Sequence, residues 1–132
     1  MVKLAGPPKG INDRLMTMKL ALLSGRKHVI IISCYAPTMT NPDEVKANFY
    51  EDLHSVISDV PLAEKLVILG DFSARVGYDH VAWDRVLEKH GVGHCNSNGL
   101  LLLKTFAEHE LLITNTVFCL PVTGRHGCTI AL

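Results

Sequence analysis

KLVILGDFSARVG, residues 65–77, is the stretch that decides the fold. Five residues, Lys65 to Leu69, read as a short strand buried in a sheet, because an apolar run of that length between turn signals suits a strand better than a helix. It ends in Gly70-Asp71. The loop that follows carries Ser73 and Arg75. An aspartate at the carboxyl end of an interior strand sits where α/β sheets place ligand groups. It can hold a divalent metal or orient a water there. It can equally well make only a turn, its side chain accepting from backbone amides.

Working outward, the chain alternates strands and helices. Residues 28–36, HVIIISCYA, are a β-branched run and predict an interior strand. Residues 14–23, RLMTMKLALL, alternate well enough to pair with it as a hairpin across the turn 24–27. Asn41 as cap, Pro42 at the first helical position and Glu44 beyond predict a helix start. Val45, Phe49, Leu53, Val56 and Ile57 give that helix one apolar stripe, and Pro61 ends the region. Residues 80–89, with the single tryptophan Trp83, form a weaker helical stretch. Asn96 or Asn98 can cap a further helix running to about residue 109, with Leu102 and Phe106 inward. Residues 111–116, LLITNT, read as a last strand. The order β-β-α-β-α-β predicts an α/β layered domain, helices packed on a mixed sheet.

The 132 residues include 13 Lys+Arg and 13 Asp+Glu, a formal net charge of zero. At 48% hydrophobic and 20% charged, the composition is globular and excludes a disordered or fibrous chain. The longest apolar runs fall far short of the roughly 18 residues a membrane helix needs. No stretch reads as a signal peptide. Nothing therefore suggests secretion, and in a nuclear or cytoplasmic chain Cys34, Cys95, Cys119 and Cys128 are expected to stay reduced. The charge is uneven: residues 1–27 hold six bases against one acid, and the remainder seven bases against twelve acids. A basic segment of that kind can touch phosphates, or form a solvated hairpin.

Other candidates divide between chemistry and packing. Tyr35, in SCYAP at the end of another interior strand, can donate to a phosphate oxygen; on chemistry alone it reads more readily as a half-buried packing residue. Asn115 can bond a phosphate or satisfy loop backbone. Arg75 and Arg85 can solvate their faces. His90, His94 and Cys95 lack a second ligand pair at zinc-site spacing, so that loop reads as structural. No Gly-rich phosphate loop, nucleophile elbow or aromatic-basic RNA signature occurs.

Taken in order, SCYAPT, NPDEVKANFYEDL, LVILGDFSARVG and HGVGHCNSNGLLLLKTFAEHELLITNT resemble one group closely. They look like the endonuclease domain of non-LTR retrotransposons and the craniofacial development protein 2 relatives derived from it. Both are part of the endonuclease/exonuclease/phosphatase superfamily. The resemblance runs from about residue 2 to residue 118. It implies a four-layer α/β sandwich of the deoxyribonuclease and apurinic-endonuclease kind, of which this chain would hold part. It also implies Mg²⁺-dependent cleavage of phosphodiesters in DNA.

Carried over by position, Tyr35 matches the tyrosine that contacts the phosphate. Asp71 matches the aspartate that orients and deprotonates the water. Ser73 stands where the family usually has Asn. Arg75 and Asn115 are the further substrate-binding candidates. No Glu occurs before Glu44, so the family's early metal-binding glutamate has no counterpart, and neither has its final Asp-His pair. No metal ligand is therefore assigned, and weak or absent catalysis is expected. The family's Trp-Met-His segment after Phe118 is also absent, and back-translation of residues 126–132 suggests a frame shift near Val122. Three readings follow: a truncated, inactive nuclease domain; a non-catalytic DNA- or phosphate-binding remnant using Tyr35, Arg75 and the basic segment; or a pseudogene product without a role. Sheet surface left uncovered in a partial domain predicts self-association.

Overall fold

The computed structural model describes residues 3–4, 6–22, 27–74, 81–83, 95–113 and 128–131. Arg75, Arg85, Asn115, His90, His94, Cys119 and the suspected junction near Val122 lie outside the described residues.

One mixed sheet organises the chain. Its strands are β1 (Lys3–Leu4), β2 (Lys9–Gly10), β3 (Leu15–Ala21), β4 (His28–Tyr35), β5 (Lys65–Asp71) and β6 (Cys128–Ala131). The spatial order is β1-β3-β4-β5-β6, and β2 pairs with the same edge of β3 as β1. β3 and β4 form the expected antiparallel hairpin, with Leu15 opposite Cys34 and Ala21 opposite His28. β4 and β5 are parallel. Parallel neighbours need a crossover, and α1 (Asp43–Ser58) supplies it. α2 (Ser97–Glu108) follows β5.

The period of two in each strand separates the sheet's faces. Leu15, Ile32, Cys34 and Ile68 face one way and are buried. They share one core with Phe49, Leu53, Val56 and Ile57 of α1 and with Leu102, Leu103 and Phe106 of α2. The opposite face carries Met16, Met18, Leu20, Val29, Ile31, Val67 and Leu69, and none of these is buried. The result is an α/β arrangement with both helices against one face of a mixed sheet, consistent with part of the layered sandwich. No helix among the described residues is long and apolar enough to cross a membrane.

Several boundaries differ from expectation. Pro42, not Asn41, is the N-cap of α1, and it makes no side-chain cap hydrogen bond. Asn41 Oδ1 instead accepts from Thr38 N at 2.8 Å, closing a turn of its own. Asn96 caps α2 by accepting from Gly99 N at 2.8 Å, which leaves Asn98 free for another task. In the expected last strand, Ile113 forms an isolated bridge and residues 114–116 are outside the described set. The expected helix over 80–89 is described only at 81–83, which make a turn. β1, β2 and β6 are not among the expected strands: two-residue strands carry too little pattern, and β6 lies beyond the suspected frame shift near Val122.

Candidate functional site at the strand ends

β4 and β5 end side by side. In their parallel register Tyr35 is the partner of Asp71, so the two side chains leave the same face of the sheet. Tyr35 is 56% exposed and Asp71 is also exposed. The packing role open to Tyr35 from chemistry alone is therefore not the one it takes. The chain continues past both strand ends in register, with Ala36 N donating to Asp71 O at 2.8 Å.

Three local features hold this geometry. Gly70 lies so close to β4 that a Cβ there would stand 2.3 Å from Cys34 O and 2.6 Å from its Sγ. Only glycine lets the strands approach at that point. Phe72, fully buried, sits edge-on to Phe49 and Phe106 with ring centroids 6.4 and 5.8 Å away. That anchor keeps its neighbours Asp71 and Ser73 at the surface. Asn98, 1% exposed, donates through Nδ2 to Pro37 O and to Ser73 O, both at 3.1 Å. One amide thus ties the first turn of α2 to the loops after β4 and β5. Asn98 Oδ1 is buried with no partner among the described residues. Sequence reasoning offered Asn98 only as a helix cap. A second asparagine just past the cap, in the first turn of an otherwise apolar helix, was the available signal, because a buried amide must find partners.

Asp71 also makes the turn that its place after Gly70 allows. Its Oδ1 accepts from Ser73 N at 2.9 Å and lies 3.4 Å from Ser73 Oγ. Ser73 has φ 45°, in the left-handed region that non-glycine residues seldom enter. A group not singled out from sequence joins them. Arg14 Nη1 donates to Tyr35 O at 3.2 Å, and its guanidinium stands 5.9 Å from the Tyr35 ring centre. Arg14 is itself placed by its loop: Arg14 N donates to Asn12 Oδ1 at 2.8 Å, and Asn12 Nδ2 donates to Asp52 Oδ2 of α1 at 3.1 Å.

The structure therefore brings Tyr35, Asp71 and Ser73 together and adds Arg14 and Asn98. Phosphodiester chemistry at such a mouth would call for magnesium, which is bound through one or two carboxylates with waters and substrate phosphates. In segments 35–42, 71–74 and 95–99 Asp71 is the sole carboxylate, and Ser73 already engages it. The group of three candidate ligands found among the described residues lies elsewhere, at His54, Glu108 and His109. Among the described residues of those segments one exposed carboxylate is on offer, and its Oδ1 is already held by Ser73 N, so these residues build no ready-made magnesium site.

Comparison with known proteins agrees with part of the sequence reading. No family model matches the chain. Craniofacial development protein 2 of Bos taurus is 31% identical over 111 residues, 83% of this chain and 18% of that protein. The Tragulus javanicus protein of the same name is 29% identical over the same share of each. The chain thus spans under a fifth of the curated relatives it matches. Over most of its length the chain is a homologue of craniofacial development protein 2.

Proposed function

We propose that the strand-end mouth is a phosphate-contacting surface for DNA, inherited from a metal-dependent endonuclease and retaining little or no hydrolysis of its own. The observation that carries this reading is the pairing of Tyr35 with Asp71, both exposed on one face at the carboxyl ends of adjacent parallel strands. A phenol there can donate to a non-bridging phosphate oxygen. Arg14, against the Tyr35 ring, supplies the positive charge that a phosphate seeks. Among the described residues of segments 35–42, 71–74 and 95–99, Asp71 is the carboxylate able to take a proton from water. Its negative charge opposes that of a phosphate, so Asp71 weakens binding more than it assists it. Homology to craniofacial development protein 2 and the resemblance to retrotransposon endonucleases support the nucleic-acid class of the partner.

The test is nicking of supercoiled plasmid by the purified chain with Mg²⁺, beside binding of a labelled duplex followed by anisotropy. The reading expects salt-sensitive binding and no nicking that depends on Asp71. Nicking abolished by Asp71→Ala would establish the enzyme instead. Absence of binding at low salt, with the fold intact by circular dichroism, would remove the DNA reading altogether.

A further inference from the structure

Away from the strand ends, α1 and α2 bring two imidazoles and a carboxylate together. His54 projects from α1, while Glu108 and His109 close α2. His109 Nε2 lies 2.7 Å from His54 Nδ1, and His54 Nδ1 lies 3.5 Å from Glu108 Oε2. One ligand atom from each of the three falls within 4.8 Å of the others. The imidazole rings are 4.6 Å apart between centres. We propose that His54, Glu108 and His109 form a surface site for a zinc-type divalent transition metal that bridges the two helices.

The chemistry selects that class of ion. Two imidazoles and one carboxylate are a donor set of the kind zinc takes, with a fourth position left for water. Magnesium and calcium prefer oxygen donors. At zinc–nitrogen distances of about 2.0–2.1 Å, tetrahedral ligand atoms stand roughly 3.3 Å apart. The two observed separations, 2.7 and 3.5 Å, straddle that value. To admit the ion, the hydrogen-bonded contact between the two ring nitrogens has to open from 2.7 Å towards that value, and the His54 ring is exposed.

Electrostatics favour the same occupant. The site lies at the carboxyl end of α2, where the helix carries partial negative charge. Glu108 adds a full one. Burial, helped by the neighbouring His54 and opposed by Glu108, holds His109 below its ordinary imidazole range. A neutral imidazole is the ligating form. His54 and His109 are 55 residues apart in sequence. A metal that joins them across the helical layer binds the folded chain alone, so it stabilises the fold with the logarithm of its concentration over Kd.

The experiment titrates zinc chloride into the purified, chelator-treated chain by calorimetry, with the thermal midpoint recorded alongside. The expected result is one zinc per chain, a raised midpoint, and a loss of about tenfold or more in affinity for His54→Gln and for Glu108→Gln. Both side chains are exposed, so the metal-free midpoint should stay close to wild type. If His54→Gln does not fold, Glu108→Gln alone decides. Cobalt substitution separates this site from the thiols: nitrogen and oxygen ligands give ligand-field bands without a thiolate charge-transfer band. Failure to bind zinc, affinity unchanged by Glu108→Gln, or a thiolate band removed by Cys95→Ser would each overturn the proposal.

Discussion

Tyr35 and Asp71 are register partners at the ends of two parallel strands, and both side chains reach solvent from one face. Because the pair combines a donor with a negative charge, the two residues should respond oppositely when DNA is bound without metal. Asp71→Asn removes a like charge facing phosphate and should tighten binding several-fold. Tyr35→Phe removes a donor and should weaken it. Arg14→Gln should weaken it further and lower the slope of log affinity against log salt by about one. Duplex anisotropy across a salt series measures all three. Weaker binding by Asp71→Asn would place the phosphates somewhere else.

Gly70 makes a second prediction, on stability. Its missing Cβ leaves room for Cys34 O and Sγ, which a methyl would meet at 2.3 and 2.6 Å. Gly70→Ala should destabilise by about 1–3 kcal/mol or more, because two paired strands must part to admit it. Urea unfolding reads the loss. Cys34→Ala should recover only part of it, since the backbone carbonyl stays. Full recovery in the double variant would show that the sulfur alone sets the spacing.

The exposed sheet face carries a third prediction. Met16 and Leu69 lie level with each other across β3, β4 and β5, through Ser33, and are 39% and 38% exposed. With the half-buried Met18, Leu20, Val29, Ile31 and Val67 they make a largely apolar face, interrupted by Ser33, of the kind that drives association. The purified chain should elute as a dimer or larger species in size-exclusion chromatography with light scattering. Met16→Lys with Leu69→Lys should shift it towards monomer. A monodisperse wild-type monomer with a sharp thermal transition would contradict this.

How far the fold could be read in advance follows from how local each signal is. β3, β4, β5 and the stripe of α1 were legible because alternation and helical spacing sit within single segments. The pairing of Tyr35 with Asp71 was legible as two strand ends on one edge. Arg14 was not, because its place beside Tyr35 depends on a hairpin register and on Asn12 reaching Asp52. Asn98 was half legible: cap and clamp look alike in sequence, and only tertiary contact distinguishes them from Asn96. The His54–His109 contact joins residues from two helices, and no spacing rule brings them together.

Cys34 makes stability depend on pH. Burial pushes its thiol from 9.0 up to about 12. A folded-state value raised above the unfolded one means the native chain holds its proton longer. The contribution is complete below about pH 9 and is lost as pH climbs towards 12, at about 1.4 kcal/mol per pH unit for one thiol. Tyr50, also raised by burial and then by Cys34, steepens the fall above its ordinary 10.0. Urea midpoints from pH 8 to 11 should stay flat and then drop, and Cys34→Ala should shallow the drop. In the native chain Cys34 should resist alkylation at pH 8, while exposed Cys95 reacts. Equal labelling of the two would show that the β4–β5 contact opens readily.

Ser73 tests the turn beneath the carboxylate. Its φ of 45° places a Cβ-bearing residue in the left-handed region. That conformation costs an ordinary residue about 1–2 kcal/mol and asparagine less. Asparagine is also the residue the resembled endonucleases usually carry here. Ser73→Asn should therefore stabilise the chain by up to about 1 kcal/mol, and Ser73→Gly by a similar amount. Both keep the backbone N–H that donates to Asp71 Oδ1, so the turn persists. The weaker Ser73 Oγ contact at 3.4 Å is lost in each and offsets little. Thermal and urea unfolding of the two variants measure the gain. Destabilisation by glycine and asparagine alike would mean that the hydroxyl contact, rather than backbone strain, governs this corner.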